Sequence, residues 1–262
     1  MSKDTIPTLP ELELIAVEAA QAAAELVRHG YGRAVALGTK SSATDVVTET
    51  DLASERLIVE HLDAVTPYAG FIGEESGNRQ STSRLQWIID PLDGTVNFLY
   101  ALPIFSISVA AAIDGHVVAG AVVDVLYRQT YSACRGRGAR RDGAPIATSG
   151  CTVLSQALLT TGFSYTPRLR TLQGSIVASL IPTVRDIRCF GSAALQLCWV
   201  ADGRADGYFE RDIKLWDWAA GTLIAAEAGA SLEYPCPENN DLVLATSPAL
   251  FTDIADAVRI VP

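Results

Sequence analysis

The chain has 262 residues, of which 49% are apolar and 19% are charged, so it can bury a large core and is not a disordered chain. Its formal net charge of -10 excludes a global basic surface for nucleic acid and repels anionic ligands. We therefore expect no nucleic-acid partner, and we expect bound metal if the substrate is a phosphate.

The cysteines and the N-terminal residues indicate the cellular compartment. The five cysteines are odd in number and show no CxxC spacing, which favours free thiols in a reducing cytosol over disulfides or a zinc site. They are Cys134, Cys151, Cys189, Cys198 and Cys236. The start of the chain, MSKDTIPTLPELEL, has no signal-peptide pattern, and no apolar run reaches the roughly 18 residues of a membrane span. We expect a cytoplasmic protein with no membrane segment.

The first half of the chain, about residues 1–144, mixes helices and strands. In chain order we predict a helix at 10–29, a loop at 31–48, a helix at 49–65, strands at 69–72 and 85–89, and an antiparallel meander over 104–134. Pro10 suits the first turn of the first helix and Gly30 its end, while Thr48 or Thr50 suits the N-cap of the second. Asp114-Gly115 is a hairpin signal within the meander.

The second half, about residues 145–262, alternates strands and helices. We predict strands at 157–160, 186–189, 206–209, 231–234 and 242–245, and helices at 168–181, 191–202, 215–228 and 248–259. An α+β half followed by an α/β half, with no flexible linker between them, predicts one layered α/β domain over 1–262.

Acidic residues gather at the predicted edges of strands and helices. The clusters are TDVVTETD (Asp45, Asp51), FIGEES (Glu74, Glu75), DPLDGT (Asp90, Asp93) and LWDWAAG (Asp217). Each motif alone is as consistent with an ordinary turn or cap as with a site. Together, at strand ends, their carboxylates would repel one another unless protons or cations were bound. Oxygen ligands without clustered His or Cys suit Mg²⁺ or Mn²⁺ better than zinc.

The DPLDGT segment has a geometry that fits phosphoryl chemistry. Asp90 and Asp93 are three residues apart across a tight turn at Pro91, so both carboxylates could face neighbouring ions. Gly94 permits close approach of the backbone to a ligand, and the Gly94 and Thr95 amides could donate to phosphate oxygens. The Thr95 hydroxyl could orient a metal-bound water.

With these motifs in this order, the chain resembles the inositol monophosphatase family of Mg²⁺-dependent, lithium-sensitive phosphatases. The matching segments are KSSATDVVTETD (40–51), FIGEES (71–76), WIIDPLDGTVNF (87–98), GSAAL (191–195) and WDWAAGTLIAAEAGA (216–230). The overall layout is most similar to bacterial inositol-1-monophosphatases. The resemblance implies the layered α-β-α-β-α sandwich that this family shares with fructose-1,6-bisphosphatase.

The resemblance also implies two to three Mg²⁺ ions, with Mn²⁺ as a substitute. Glu74, Asp90 and the Leu92 carbonyl would bind the first ion. Asp90, Asp93 and Asp217 would bind the second. Glu74 would also hold a weaker third ion through waters.

Further roles follow from the same resemblance. Asp51 would hydrogen-bond Thr95, and this pair, with the first ion, would activate the nucleophilic water. Substrate-binding roles are implied for Gly94 and Thr95 at the phosphate, Lys40 near it, Gly191, Ser192 and Ala193 against the sugar ring, and Glu210 and Asp217 on the alcohol side. Ser164 is a further candidate there, although it could equally be a turn hydroxyl. Alternatively, Lys40 is an ordinary solvated lysine of a loop with no role at the phosphate.

The resemblance implies a cytosolic phosphomonoesterase that hydrolyses inositol monophosphate by means of a metal-activated water and forms a homodimer. Histidinol phosphate and fructose 1,6-bisphosphate stay open as substrates. Bisphosphorylated-nucleotide phosphatases of the superfamily usually carry lysine where Val96 stands, which argues against that substrate. A regulatory, RNA-polymerase-binding role is a further alternative, because some bacterial relatives act in transcription.

Overall fold

The computed structural model describes residues 6–33, 35–39, 46–80, 82–235 and 241–259. The elements of the first half are α1 (Leu9–Gly30), β1 (Ala36–Thr39), β2 (Val46–Thr48), α2 (Glu49–Val65), β3 (Gly70–Gly73), β4 (Gly77–Arg79), β5 (Leu85–Asp93), α3 (Thr95–Leu99), β6 (Ser106–Ile113), β7 (His116–Asp124), β8 (Gln129–Cys134), β9 (Ala139–Arg141) and β10 (Ala144–Pro145).

The second half continues the alternation of strands and helices. Its elements are β11 (Leu158–Thr161), α4 (Pro167–Leu180), β12 (Asp186–Cys189), α5 (Ala193–Ala201), β13 (Gly207–Arg211), α6 (Leu215–Glu227), β14 (Ser231–Glu233), β15 (Leu242–Thr246) and α7 (Phe251–Arg259).

Local signals explain the ends of the first two helices. Thr8 and Glu11 form a capping box at the start of α1, with the Thr8 amide donating to Glu11 Oε2 at 2.7 Å. Thr48 caps α2 and forms the same kind of box with Asp51. A cap that satisfies the first free amides stabilises a helix by about 1 kcal/mol. These are the ends that the sequence predicts to within one or two residues.

Two sheets carry the architecture of the described residues. The larger has the strand order β10-β9-β8-β7-β6-β5-β3-β4 and is antiparallel except for the β3–β5 pair. The smaller has the order β12-β11-β13-β15-β14, in which β11 is parallel to both of its neighbours. The mixed smaller sheet brings the ends of β11 and β13 to the same edge.

Helices cover both faces of each sheet, as the predicted sandwich requires. The first layer, α1 and α2, packs on one face of the larger sheet, and α5 and α6 pack on its other face. The same α5 and α6 contact the smaller sheet, whose far side meets α4 and α7. Alanines line the buried face of α1, which lets this helix approach the sheet closely. The α-β-α-β-α fold class is therefore confirmed.

The structure corrects the predicted ends of two elements. β5 runs through DPLD to Asp93, whereas the sequence predicts a strand ending near residue 89. Asp90 pairs with Ser108 and Asp93 with Ser106, so one extra residue bulges from β5 between the two aspartates. The predicted last helix, 248–259, divides into a 3-10 turn at Pro248–Leu250 and then α7.

Short strands were missed where a loop was predicted. β1 and β2 form a two-stranded ladder within residues 31–48, and β4 pairs with β3. Strands of three or four residues give too few alternations for a pattern in the sequence to reveal them.

The remaining predictions about compartment concern cysteines and membrane segments. Cys134, Cys151, Cys189 and Cys198 are free thiols, as expected, while Cys236 lies outside the described residues. In the part of the chain that the structure describes, every helix is too short or too polar to cross a membrane.

Candidate active site

The predicted site residues meet at one cavity of about 720 Å³. It lies where β3, β5 and β13 end and where α5 and α6 begin. Its walls include Glu74, Asp90, Leu92, Asp93, Gly94, Thr95, Ser192, Ala193, Glu210 and Asp217. Asp51 is fully buried behind the wall and reaches the cavity through Thr95. Lys40 lies outside the described residues, so its role stays a prediction.

Asp90 is a buried and Asp217 a half-buried carboxyl group, and each is surrounded by other carboxyl groups. Asp90 is only 2% exposed. Burial, followed by the charges of Glu74, Asp93 and Asp217, raises the pKa of Asp90 well above its usual range. Burial, followed by Glu74 and Asp93, does the same to the pKa of Asp217. A divalent cation would relieve this repulsion and favour the ionised forms.

Asp93 is held by hydrogen-bond donors at the start of α5. Its Oδ2 accepts from Ser192 Oγ at 2.6 Å, from the Ala194 amide at 2.8 Å and from Ser106 Oγ at 3.2 Å. Its Oδ1 accepts from the Ala193 amide at 3.1 Å. Burial raises the pKa of Asp93, and these hydrogen bonds oppose the rise. Ser192 and Ala193, predicted to contact the sugar ring, therefore also orient Asp93, and their contact with substrate stays a prediction.

The segment predicted to face phosphate is a sharp turn that ends on Thr95. Gly94 has φ +99°, and a Cβ added there would lie 3.0 Å from the Gly191 carbonyl oxygen, so both conformation and space call for glycine. Thr95 Oγ1 lies 2.8 Å from Asp51 Oδ1 and 3.0 Å from the Leu92 carbonyl oxygen. The Asp51–Thr95 hydrogen bond implied by the resemblance is thus present.

A helix residue that the sequence analysis overlooked fixes the loop that carries Glu74. The buried Glu55 side chain on α2 accepts from the Glu75 amide at 2.9 Å and from the Ser76 amide at 2.6 Å. A Cβ at Gly73 would lie 2.6 Å from Glu55 Oε2, so this glycine makes room for the carboxylate. Glu55 therefore determines the path of the chain on both sides of Glu74.

Other overlooked residues fix the backbone around the cavity. Asn97 Nδ2 donates to the Ile104 carbonyl at 2.7 Å and to the Phe190 carbonyl at 2.6 Å. Ser54 Oγ donates to the Pro91 carbonyl at 2.7 Å. On α2 a signal was available, because Asp51, Ser54 and Glu55 share the buried face of the helix with its apolar residues. Polar residues at apolar positions of such a pattern indicate a buried polar site.

Glu210 lies on β13 and lines the same cavity as the aspartates. Its side chain accepts from Tyr208 OH at 2.8 Å. Burial, the largest cause, raises the pKa of Glu210 to about 8; the Tyr208 hydrogen bond opposes the rise and the charge of Asp93 adds to it. Nearby, Ser164 Oγ donates to Asp212 Oδ2 at 2.7 Å, so this hydroxyl is engaged within the protein.

The donor set fits a hard divalent cation. It consists of carboxylates and one carbonyl, and in the described residues no Lys or Arg forms an ion pair with Asp90, Asp93 or Asp217. The same described ranges contain no three His, Cys, Asp or Glu side chains already converged as for a bound metal. A bound cation would offset the charge of these carboxylates and allow them to converge at ligand distance.

Comparison with known proteins connects this geometry to a family. The sequence profile described as "Inositol monophosphatase family" matches residues 9–259. The inositol-1-monophosphatase SuhB of Mycobacterium tuberculosis is 42% identical over 236 residues, which cover 86% of this chain and 81% of that protein. The Nus factor SuhB of Pasteurella multocida is 43% identical over 218 residues, with 82% of each chain covered.

A solved structure agrees with the sequence comparisons. The structure of Mycobacterium tuberculosis SuhB superposes with a TM-score of 0.83 at 38% identity and covers 97% of both chains. The similarity therefore extends over nearly the whole length of both chains.

Proposed function

The chain belongs to the inositol monophosphatase family, and from this premise we propose that it is a Mg²⁺-dependent phosphomonoesterase that hydrolyses inositol monophosphate to inositol and phosphate. The observation that carries the proposal is the meeting of the buried Asp90 and Asp93 with the half-buried Asp217 and Glu74 in one cavity. Four carboxyl groups this close together destabilise the folded protein unless a bound cation offsets their charge.

The proposed metal ligands follow the donor set. Glu74, Asp90 and the Leu92 carbonyl would hold one ion, and Asp90, Asp93 and Asp217 a second. Glu74 would also hold a third, more weakly, through waters. When bound, Mg²⁺ or Mn²⁺ supplies a lowered pKa for a coordinated water and neutralises negative charge on the phosphoryl group.

The chain itself orients the attacking water through Thr95. When the Thr95 hydroxyl donates its proton to Asp51, its oxygen lone pairs can accept a proton of the water. Because Asp51 is fully buried and also bound by the Thr48 amide at 2.9 Å, it holds the hydroxyl in one direction. Asp51 and Thr95 are the residues we assign to this role.

The phosphate and the alcohol would occupy opposite ends of the cavity. The amides of Gly94 and Thr95 belong to the first turn of α3, where amides have no partner within a helix, and they are available to phosphate oxygens. On the other side we assign Glu210 to a hydroxyl of the leaving inositol. Ser192 and Ala193 would border the ring, and Lys40 would approach the phosphate.

Measurement of phosphate release tests the proposal. Purified protein should release phosphate from inositol 1-phosphate with Mg²⁺ and lose this activity in EDTA. Asp93→Asn should reduce kcat/KM by at least about 100-fold. Asp114→Asn, a change in an exposed hairpin turn, is the matched control and should leave kcat/KM unchanged. Absence of Mg²⁺-dependent release from inositol 1-phosphate would contradict the proposal.

Substrate preference within the family needs a panel. Histidinol phosphate and fructose 1,6-bisphosphate are the alternatives, and the ratio of kcat/KM values against inositol 1-phosphate ranks them. Val96, at the position of the usual lysine, argues against bisphosphorylated nucleotides.

A role in transcription is the second candidate. It rests on the name of the Pasteurella multocida relative, a Nus factor. Under this hypothesis the chain binds RNA polymerase. Cells that carry the inactive Asp93→Asn variant would then keep the wild-type phenotype. Loss of the phenotype together with turnover would assign the phenotype to catalysis.

We also propose that the chain acts as one domain, as a homodimer and in the cytoplasm. Light scattering of the purified protein should give twice the 27.8 kDa mass of one chain. A monomer at micromolar concentration would contradict the proposed homodimer.

A further inference from the structure

Tyr208 and Glu210 form a buried hydrogen-bonded pair, of which Glu210 lines the cavity. They are two residues apart on β13, so both side chains project from the same face of the strand. Tyr208 is 0% exposed and Glu210 is 8% exposed. The Tyr208 hydroxyl donates to Glu210 Oε2 at 2.8 Å.

Gly162 restricts the same carboxyl group from the neighbouring strand. Thr161 of β11 pairs in parallel with Phe209 of β13, so Gly162 and Glu210 follow at the same end of the two strands. A methyl group added at Gly162 would overlap both oxygens and the Cδ of the Glu210 carboxyl. Gly162 therefore lets the carboxyl pack directly against the backbone, where its torsional freedom is small.

We infer that Tyr208 is a positioning residue for recognition of the leaving alcohol: by occupying Glu210 Oε2 it fixes the carboxyl plane and leaves Oε1 to a substrate hydroxyl. This inference rests on the proposed function, because it takes the alcohol side of the cavity as the place where inositol binds. Among the described residues, Glu210 takes its side-chain hydrogen bond from Tyr208 alone, and Glu210 lines the cavity.

A positioning role for Tyr208 predicts different effects on two kinds of substrate. A leaving group that carries hydroxyls besides the ester oxygen, such as inositol, gains from an oriented Glu210, whereas one with none, such as phenol, does not. Loss of the Tyr208 hydroxyl removes the hydrogen bond that fixes the carboxyl plane and leaves a buried oxygen without its donor. The effect should therefore appear in discrimination between esters rather than in the chemistry common to them.

The test compares Tyr208→Phe with wild type on inositol 1-phosphate and phenyl phosphate, with Mg²⁺. We expect kcat/KM for inositol 1-phosphate to fall about tenfold, mainly through KM, and that for phenyl phosphate to change less than about twofold. Tyr131→Phe is the matched control, because Tyr131 OH donates to the buried Asp202 at 3.0 Å, and neither residue lines the cavity. It should leave the ratio of the two kcat/KM values unchanged.

A double-mutant cycle shows whether Tyr208 acts through Glu210. In a Glu210→Gln background, Tyr208→Phe should change the ratio by much less than in wild type, because the residue that it positions has been altered. Equal effects in both backgrounds, or an unchanged ratio in Tyr208→Phe, would overturn the inference. Should Tyr208→Phe fail to fold, Gly162→Ala displaces the same carboxyl. This variant must then lower the ratio of kcat/KM for inositol 1-phosphate to kcat/KM for phenyl phosphate.

The failure of this inference differs from the failure of the proposed function. If wild type hydrolyses inositol 1-phosphate and the ratio is insensitive to Tyr208 and Gly162, the positioning role is wrong while the phosphatase activity stands. If wild type hydrolyses no inositol 1-phosphate with Mg²⁺, the proposed function fails, and the inference fails with it.

Discussion

Substitution of Glu210 by glutamine should change how stability depends on pH in the metal-free protein. Burial raises the pKa of Glu210 from 4.5 to about 8, so the folded state binds this proton more tightly than the unfolded state does. Stability is therefore greatest at low pH and falls as pH rises from 4.5 to about 8. Glutamine resembles the protonated side chain and does not titrate.

The size of the effect follows from the two pKa values. At about 1.4 kcal/mol per pH unit, the interval from 4.5 to about 8 corresponds to about 5 kcal/mol, fully expressed only above pH 8. At pH 7 the expected difference is about 3 kcal/mol by the same rule. Near pH 5 wild type and Glu210→Gln should agree within about 1 kcal/mol.

Urea unfolding in EDTA from pH 5 to pH 9 measures this difference. Both proteins contain the buried aspartates, so subtraction of the two curves gives the contribution of Glu210 together with its coupling to Asp93 and Asp217. Glu60→Gln, an exposed change on α2, is the control and should give a curve parallel to that of wild type. If the curve for Glu210→Gln also runs parallel to wild type, Glu210 is not held neutral and the reasoning is refuted.

Three further experiments test Gly94, Thr95 and the proposed metal site. Gly94→Ala should destabilise the protein by about 1–3 kcal/mol more than Gly77→Ala does. Both glycines have positive φ, but of the two only Gly94 would bring an added Cβ within 4 Å of other atoms. Equal urea midpoints for the two variants would contradict the close approach at Gly94. Thr95→Val should lower kcat about 100-fold while Thr95→Ser retains it, and similar kcat values would remove the hydroxyl from the mechanism. Mg²⁺ at 100 times its Kd should stabilise wild type by about 2.7 kcal/mol, and Asp93→Asn much less, in thermal unfolding. Mg²⁺ competes with protons for carboxyl groups, such as that of Asp93, whose pKa is raised. The stabilisation by Mg²⁺ should therefore weaken below neutral pH.

Helix ends and the meander were predictable because their signals are local. The helix that starts near Pro10 and the one capped by Thr48 appear within a residue or two of the predicted ends. Asp114-Gly115 takes the positive φ values of a tight hairpin turn, as that dipeptide predicts. In each case, residues within one turn of one another determine the conformation.

The strand through DPLDGT shows where local signals end. Pro91 was expected to end the strand in a turn, yet β5 continues to Asp93 because β6 supplies partners on both sides of the bulge. The geometry of the two aspartates depends on this pairing, which joins residues distant in the sequence. The sequence alone predicts that the carboxylates exist, and pairing with β6 decides how they are presented.

The amino-acid sequence by itself determined the oxygen-rich, cation-demanding chemistry of the site and the helices that border it, since residue types and short-range caps carry that information. Tertiary structure decided which additional groups serve the site. Glu55 beneath the Glu74 loop, and Tyr208 and Gly162 around Glu210, act across elements whose approach is specified only by sheet register and helix packing. The pKa of Glu210 has the same origin, because the desolvation that raises it exists only in the folded protein, where the carboxyl packs against Gly162 after β11.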